Sequence, residues 1–311
     1  MNLIELAKDQ SINKKFVSGH RTCSGCGIPQ IVRTVLSASK KPVVVTNATG
    51  CLEVTSTIYP YTSWNVPYIH NAFENAAATI SGIESAFKVL KRKGKIKRDI
   101  NFVAFGGDGG TSDIGLQSLS GALERGHRFV YVQYDNQAYE NTGVQRSSAT
   151  PYGADTTTET VGKLHKGKEK FKKDITKIII AHNIPYIAQA SVSNLIDLYN
   201  KAEKAFSMNG PAFINVLQPC TLGWKFNTSL TIKIADLAVK TNFWPLYEVE
   251  NGIYKINYKD EKRLPIMNFL KLQGRFKHLL KEENKHIVDN IQKNIDKEWD
   301  NLLRLEKNSK I

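Results

Sequence analysis

The sequence predicts an α/β fold in which a parallel sheet is flanked by helices, and two observations indicate this class. Between about residue 43 and residue 217, short β-rich segments alternate with helical patterns, and the apolar residues of each β-rich segment are nearly continuous. Continuous apolar runs are typical of strands buried on both faces, and their alternation with helices is typical of βαβ units.

The individual elements follow from these patterns in chain order. The predicted strands are PVVVTN, INFVAFG, FVYVQYD, PYIAQAS and AFINVL, and the predicted helices lie at about 72–92, 112–125, 174–183 and 193–208. Ligands of such sheets bind at the carboxyl ends of the strands, so a site is expected in the loops that follow them.

The pattern changes after Trp224. The segment FWPLYEVENGIYKINY predicts a hairpin around Asn251 and Gly252, a good turn dipeptide, and charged helical patterns begin at about residue 276. We therefore expect residues 1–224 to form the main domain. Residues 225–311 are expected to form a C-terminal arm or cap that contacts another subunit.

Composition restricts the class of protein. The chain has 311 residues, of which 41% are apolar and 23% are charged, as in ordinary globular domains. It contains no uninterrupted apolar run long enough to cross a membrane, and MNLIELAKDQ lacks the features of a signal peptide. We expect a cytoplasmic protein without membrane association, in which a disulfide between Cys23 and Cys26 would be unusual.

The net charge of +14 is concentrated in two basic segments, KVLKRKGKIKR (Lys88–Arg98) and GKLHKGKEKFKKDITK (Gly162–Lys177). Each predicts either a solvated face or a docking surface for an acidic protein or an anionic ligand. Neither has the interleaved aromatic residues of a surface that binds single-stranded nucleic acid, so nucleic-acid binding is not expected.

A glycine-rich loop, FGGDGGTSDIG, follows the second predicted strand and contains Gly107, Asp108 and Gly109. Such a loop between strand and helix lets backbone N–H groups approach a phosphate. It matches neither the dinucleotide fingerprint nor the P-loop. Asp108 could cap the next helix, or its carboxylate could bind a divalent cation that also contacts the phosphate.

The next strand ends in DNQAYENTG, which places Asn136 at the same edge of a parallel sheet as Asp108. Mg²⁺ requires several oxygen ligands, and the backbone carbonyl of Ala138 could supply a third. DNQAYENTG alone could be a polar loop. Together the two loops predict a Mg²⁺–diphosphate site.

The chain has four cysteines, Cys23 and Cys26 in HRTCSGCGIPQ and the isolated Cys51 and Cys220. From the residues alone, a redox dithiol, a structural zinc site and an iron–sulfur cluster all remain open, with zinc the commoner choice. His20 and Arg21 in the same motif could pack locally or tune a cluster, and His70 could face the site or end a strand.

Several longer strings are more specific. The chain contains GHRTCSGCG, NATGC, FENAAATISGIESA, YDNQAYENTGVQRSSATPYGADTTT and LQPCTLGW, with a fainter match in LPIMNFLKLQGRFKHL. It resembles the β subunit of 2-oxoacid:ferredoxin oxidoreductases, nearest to the multi-subunit pyruvate and branched-chain branches. The resemblance implies a thiamine-diphosphate-binding fold.

The resemblance also implies roles for single residues. Asp108, Asn136 and the Ala138 carbonyl would hold Mg²⁺ against thiamine diphosphate. Gly107 and Gly109 would shape the diphosphate loop, Gly50 would contact the cofactor, and Asn141 would line it as a catalytic residue. Cys23, Cys26, Cys51 and Cys220 would bind one [4Fe–4S] cluster.

The activity implied is CoA-dependent oxidative decarboxylation of pyruvate to acetyl-CoA, with electrons passing through the cluster to ferredoxin. Partner subunits would bind the aminopyrimidine, supply the glutamate that promotes ylide formation and carry ferredoxin-like clusters. The alternatives are another 2-oxoacid, such as a branched-chain one, or a non-redox thiamine-diphosphate decarboxylase or synthase subunit with zinc or no metal at the cysteines. A nucleic-acid-binding zinc module is a further alternative, from another functional class.

Overall fold

A computed structural model describes residues 14–260 and 262–310 of the chain. Its strands are β1 Val43–Ala48, β2 Tyr68–Asn71, β3 Asn101–Gly107, β4 Val130–Asp135, β5 Tyr186–Ser191, β6 Ala212–Leu217, β7 Tyr247–Glu250 and β8 Ile253–Ile256. Its α-helices are α1 Ile28–Ala38, α2 Cys51–Ser56, α3 Ala76–Arg92, α4 Leu116–Glu124, α5 Ile175–Ile180, α6 Leu195–Ser207, α7 Thr231–Lys240, α8 Met267–Leu270 and α9 Lys285–Asn308. A π-helical turn spans Gly109–Asp113, and short 3₁₀ helices span Thr228–Leu230, Gly274–Leu280 and Glu282–Asn284.

The strands form one sheet in the order β2-β1-β3-β4-β6-β5-β7-β8. The first six in this order are parallel, and β7 and β8 are antiparallel. All five predicted strands are present, so the predicted parallel sheet flanked by helices is confirmed. Strands β4, β5 and β6 are buried along their whole length, which explains their continuous apolar sequences.

Several elements differ from the sequence prediction, among them β2 and α3. Strand β2 was not predicted: it is a four-residue edge strand that is partly exposed, so it has no continuous apolar run. Helix α3 begins at Ala76 rather than at about residue 72, because residues 72–75 form a turn closed by the Asn75 amide on the Ala72 carbonyl.

Helices pack on both faces of the sheet. On one face, α1 and α6 contribute Ile31, Val35 and Leu198 to a core with the sheet residues. On the other face, α3 and α4 contribute Ile80 and Leu119 to a second core. Because helices cover both faces of the sheet, a ligand can reach it at the ends of the strands.

The predicted hairpin is confirmed at Asn251 and Gly252. Both residues have left-handed backbones, with φ of 49° and 83°, as a tight type I′ turn requires. Strand β7 pairs with β5, so the hairpin extends the main sheet. Helix α9 closes over β8, where Glu306 accepts a hydrogen bond of 2.9 Å from the Ile256 amide.

A third core joins the C-terminal residues to the rest of the chain. Trp224, Phe269 and Phe276 pack there with Leu217 at the end of β6. Among the residues described, no helix combines the length and the apolar character that a membrane span requires.

Candidate active site

The carboxyl ends of β1, β3 and β4 form a cleft at one edge of the sheet. The residues that the sequence implicates in cofactor contact all line it, namely Gly50, Gly107, Asp108, Gly109, Asn136, Ala138 and Asn141. They lie together because β1, β3 and β4 are adjacent and parallel, so the loops that follow them meet at one edge.

Asp108 lies at the bottom of this cleft. Its side chain is buried and accepts a hydrogen bond from the hydroxyl of Ser147. Burial raises the pKa of Asp108 well above its usual range, and the nearby Asp135 carboxylate raises it further. A divalent cation at this position would offset the cost of burying the negative charge.

The Asn136 amide and the Ala138 carbonyl converge with Asp108, which gives three oxygen-bearing groups. One end of the Asn136 amide lies 2.7 Å from Asp108 Oδ1 and 2.9 Å from the Ala138 carbonyl oxygen. When the amide nitrogen of Asn136 occupies this end, it donates to Asp108 Oδ1 and to the Ala138 carbonyl. When the amide oxygen occupies it, three oxygens from the three residues face one another. Octahedral Mg²⁺ with bonds of about 2.1 Å places adjacent ligand oxygens about 3 Å apart, so this donor set fits Mg²⁺.

The glycine-rich loop bends closely around a tyrosine. A Cβ atom on Gly109 would stand 2.2 Å from the ring of Tyr139, so only glycine fits beneath that ring. The Tyr139 hydroxyl donates to the Gly109 carbonyl at 3.3 Å. This hydrogen bond joins the start of the π-helical turn, directly after Asp108, to the loop that carries Asn136.

The cysteines lie on three separate segments that pack against one another. Cys23 and Cys26 precede α1, Cys51 is the first residue of α2, and Cys220 follows β6. The loop of the first pair is tied to the segment after Cys220 by hydrogen bonds from Thr221 Oγ1 to the Ser24 carbonyl (3.2 Å) and from Thr231 Oγ1 to the Gly25 carbonyl (2.7 Å).

All four cysteines are free thiols. Burial raises the pKa of Cys26 to about 11 and that of Cys51 to about 12, and it also raises the pKa of Cys220. Charge on Cys23 or Cys26 raises the pKa of Cys51 further, and charge on Cys51 does the same to Cys220. Cys51 is thus the thiol that interacts electrostatically both with the pair Cys23 and Cys26 and with Cys220.

No three His, Cys, Asp or Glu side chains in residues 14–260 and 262–310 are grouped around the position of a single metal ion.

The sequence did not indicate Glu140 as a functional residue, because the glutamate that promotes ylide formation was expected on a partner subunit. Glu140 lines the cleft and contacts the Cys220 thiol, and burial raises the pKa of its carboxyl group to about 7. A Cβ atom on Gly223 would collide with this carboxyl group, so the glycine makes room for it. Its position in the quoted YENTG string was the only signal in the sequence.

The histidines and Arg21 have local contacts. His20 stacks on Phe16 with ring centroids 5.7 Å apart, and the Arg21 amide donates to the Thr55 carbonyl at 2.7 Å. His70 lies on the partly exposed strand β2, and its Nε2 is 2.7 Å from Thr49 Oγ1. These contacts position the segments around Cys23 and Cys51.

Comparison with known proteins agrees with this geometry. The family model described as thiamine pyrophosphate enzyme, C-terminal TPP binding domain, matches residues 48–216. The chain is 52% identical to pyruvate synthase subunit PorB of Thermotoga maritima over 100% of this chain and 98% of that protein. It is 47% identical to ketoisovalerate oxidoreductase subunit VorB of Pyrococcus abyssi over 94% and 93% of the two chains.

A solved structure shows the same fold. The chain aligns with a chain of the 2-oxoglutarate:ferredoxin oxidoreductase from Magnetococcus marinus with a TM-score of 0.57 and 18% identity. The alignment covers 74% of this chain and 81% of that chain. The chain belongs to the thiamine-diphosphate-binding subunits of the 2-oxoacid:ferredoxin oxidoreductases, the family that includes PorB.

Proposed function

We propose that this chain is the subunit of a pyruvate:ferredoxin oxidoreductase that holds the diphosphate of thiamine diphosphate, its Mg²⁺ and one [4Fe–4S] cluster. The complex would convert pyruvate and coenzyme A to acetyl-CoA and CO₂ and pass the electrons to ferredoxin. The observation that carries the proposal is the convergence of Asp108, Asn136 and Ala138 beside a group of four cysteines.

The chain's own residues would position the cofactor. Asp108, Asn136 and the Ala138 carbonyl hold Mg²⁺, which neutralises the diphosphate. The glycines at 50, 107 and 109 keep the cleft floor open to the cofactor. Asn141, which is exposed at the rim of the cleft, would line the cofactor. Bound thiamine diphosphate supplies a nucleophilic carbon and an electron sink.

The four cysteines would ligate the cluster. The loop of Cys23 and Cys26 is hydrogen-bonded to the segment that follows Cys220, through Thr221 and Thr231. Cys51 also lines the cofactor cleft, so a cluster held there lies beside the cofactor. Such a placement gives electrons a short route out of the cleft.

Other parts of the enzyme would lie on partner subunits. One partner binds the aminopyrimidine, and another carries ferredoxin-like clusters, because this chain has no cysteine run of that type. Residues 225–311 would contact a neighbouring subunit. We place the complex in the cytoplasm, where reducing conditions keep the cysteines available for the cluster.

Pyruvate is preferred over a branched-chain 2-oxoacid. The string AYENTGVQRS is of the pyruvate and branched-chain type, and the identity to PorB of Thermotoga maritima, at 52%, exceeds that to VorB of Pyrococcus abyssi, at 47%, although PorB and VorB of Pyrococcus furiosus are similarly identical at 48% and 46%. The two substrates differ in the size of the apolar group next to the keto carbon, a difference that a pocket discriminates by about 10- to 200-fold per methylene.

The test is a substrate comparison on the complex purified anaerobically with its partner subunits. With coenzyme A and oxidised ferredoxin, kcat/KM for pyruvate should exceed that for 3-methyl-2-oxobutanoate by at least about 10-fold. The reverse order would make this chain part of a branched-chain enzyme. CO₂ release without ferredoxin reduction would favour a non-redox decarboxylase.

A further inference from the structure

The loop that brings the three oxygens together turns through an unusual residue. Gln137, between Asn136 and Ala138, has a φ of 67°, in the left-handed region that residues other than glycine rarely occupy. This turn directs the Asn136 side chain and the Ala138 carbonyl to the same side, toward Asp108. A strained backbone persists only where its surroundings hold it.

Hydrogen bonds from several segments of the chain hold the turn at Gln137. Four hydrogen bonds fix this turn: Gln137 N–H to Asp135 Oδ1 (3.0 Å), Thr150 Oγ1 to the Gln137 carbonyl (2.6 Å), Trp224 Nε1 to the Asn136 carbonyl (2.8 Å) and Arg275 Nη2 to Gln137 Oε1 (2.7 Å). The first two come from neighbouring parts of the same loop region. The last comes from residue 275, far along the chain in the C-terminal segment.

Arg275 also supports Trp224. Its guanidinium carbon lies 3.7 Å from the centroid of the Trp224 ring, and its backbone amide donates to the Trp224 carbonyl at 3.4 Å. Only 2% of the Arg275 side chain is exposed. Two of the four contacts on the loop therefore depend on this single arginine, one directly and one through the indole that it covers.

The charge of Arg275 has no direct ion pair among the described residues. Its side-chain hydrogen bonds go to the amide oxygens of Gln137 and Gln273 (2.7 and 2.9 Å). Burial lowers the pKa of Arg275 to about 9, and the acidic groups that oppose this shift belong to the site, with Glu140 first among them. A buried cation that faces a site rather than one carboxylate favours the binding of negative charge there.

We propose that Arg275 is a positioning residue of the Mg²⁺–diphosphate site. By holding Gln137 directly and Trp224 through its ring, it fixes the left-handed turn that aims Asn136 and Ala138 at Asp108. The C-terminal segment is then part of the site. This inference rests on the proposed function, since it assigns Arg275 to the Mg²⁺ site named there.

The test uses the complete complex, with Mg²⁺ titrated at saturating thiamine diphosphate and binding followed by isothermal titration calorimetry. Arg275→Gln should weaken Mg²⁺ binding by about 10- to 100-fold, the usual effect of losing a residue that orients a metal ligand. Arg275→Lys should recover only part of the affinity, because one ammonium cannot both stack on Trp224 and donate to Gln137. Lys277→Gln, an exposed lysine on the same 3₁₀ helix, is the control and should leave affinity unchanged.

A double-mutant cycle separates positioning from general packing. Gln137→Ala removes the acceptor of Arg275 and should weaken Mg²⁺ binding in the same range, and the effects of Arg275→Gln and Gln137→Ala should be strongly non-additive. If Arg275→Gln prevents folding, Gln137→Ala measured alone still carries the test.

Wild-type Mg²⁺ affinity in Arg275→Gln, additive effects in the cycle, or wild-type affinity in Gln137→Ala would overturn the inference. If the wild-type complex and both variants bind Mg²⁺ with the same affinity, the inference about Arg275 is wrong and the proposed function is unaffected. A wild-type complex that binds no Mg²⁺ would overturn the inference together with the proposed function.

Discussion

At the scale of single residues, the energetic cost of Asp108 is the most informative feature of the cleft. Burial and the neighbouring Asp135 raise the pKa of Asp108, and burial raises the pKa of Asp135 to about 6 although Lys172 opposes the shift. A folded chain gains nothing from such a pair by itself. The pair is useful where a cation binds, because the cation then interacts with carboxylates already stripped of water.

We predict that Asp108→Ala abolishes retention of thiamine diphosphate. Loss of a direct ligand should lower Mg²⁺ affinity by more than the 10- to 100-fold typical of outer contacts, that is, by more than about 100-fold. Calorimetry on the purified complex measures this, and the visible spectrum of the cluster should be unchanged.

Asp99→Ala is the matched control. Asp99 is exposed and pairs with Lys41 and Lys91 at the opposite end of β3 from Asp108, so its removal should leave cofactor binding intact. Equal loss of binding in both variants would show that the effect of Asp108 is not local.

Some residues of the site could be predicted from the sequence and others could not. Asp108 and Asn136 were visible because polar residues at the ends of two successive buried strands must meet at one edge. The left-handed turn at Gln137 was not visible, since a glutamine carries no sequence signal for that conformation. Arg275 was hidden for another reason: its contacts join segments that are far apart in sequence.

At the scale of elements, the loop before α1 shows why its glycines are present. Gly25 is required there by a close backbone contact. It has a φ of +74°, and a Cβ atom there would stand 2.3 Å from the Thr228 carbonyl oxygen. The glycine therefore lets the loop of Cys23 and Cys26 dock on the segment that follows Cys220.

We predict that Gly25→Ala displaces this loop and lowers the iron content of the complex. The left-handed backbone alone costs about 1–2 kcal/mol, and the clash with a rigid carbonyl adds to it. The measurements are iron per chain and the unfolding temperature of the anaerobically purified complex.

Gly94→Ala provides the control for the backbone term. Gly94 has a similar φ of +69° after α3, but nothing lies within 4 Å of the Cβ position. This variant should lose comparable backbone stability and keep its iron. If it loses iron to the same extent, docking on Thr228 is not what matters at Gly25.

The strands and helices that were predicted are those whose sequences carry a clear hydrophobic pattern. Strands such as β4 are buried on both faces, so their apolar runs identify them. Strand β2 was not predicted because it pairs with one neighbouring strand only and is partly exposed, so it has no continuous apolar run. The π-helical turn after Asp108 was not predicted either. It has only five residues, and their sequence pattern does not differ from that of the start of an α-helix.

At the scale of the whole molecule, the two basic segments lie at different ends of the sheet. Lys88–Arg98 comprises the last residues of α3 and the start of the loop that leads to β3, so it lies toward the amino end of β3, opposite to the cleft. Its lysines and arginines are exposed, as a solvated face or docking surface requires. An acidic partner bound there would be separated from the cysteines by the length of the sheet.

The segment Gly162–Lys177 is only partly a solvated face. Lys168 is 2% exposed and donates to the carbonyl oxygens of Ser147, Ser148 and Thr150 at 3.2, 3.0 and 2.6 Å. It thus supports the loop whose Ser147 hydroxyl donates to Asp108. The charge pattern alone could not separate this buried lysine from its exposed neighbours.

The central claim is that one chain brings a cluster of four cysteine ligands beside a Mg²⁺–diphosphate cleft. The most direct measurement is iron, sulfide and zinc per chain in the anaerobically purified complex, with and without Cys220→Ser. The account predicts that the substitution removes about four iron and four sulfide per chain, or degrades the cluster's electron paramagnetic resonance signal, while thiamine diphosphate and Mg²⁺ still bind. Unchanged iron in Cys220→Ser, or zinc without sulfide in the wild-type chain, would contradict it.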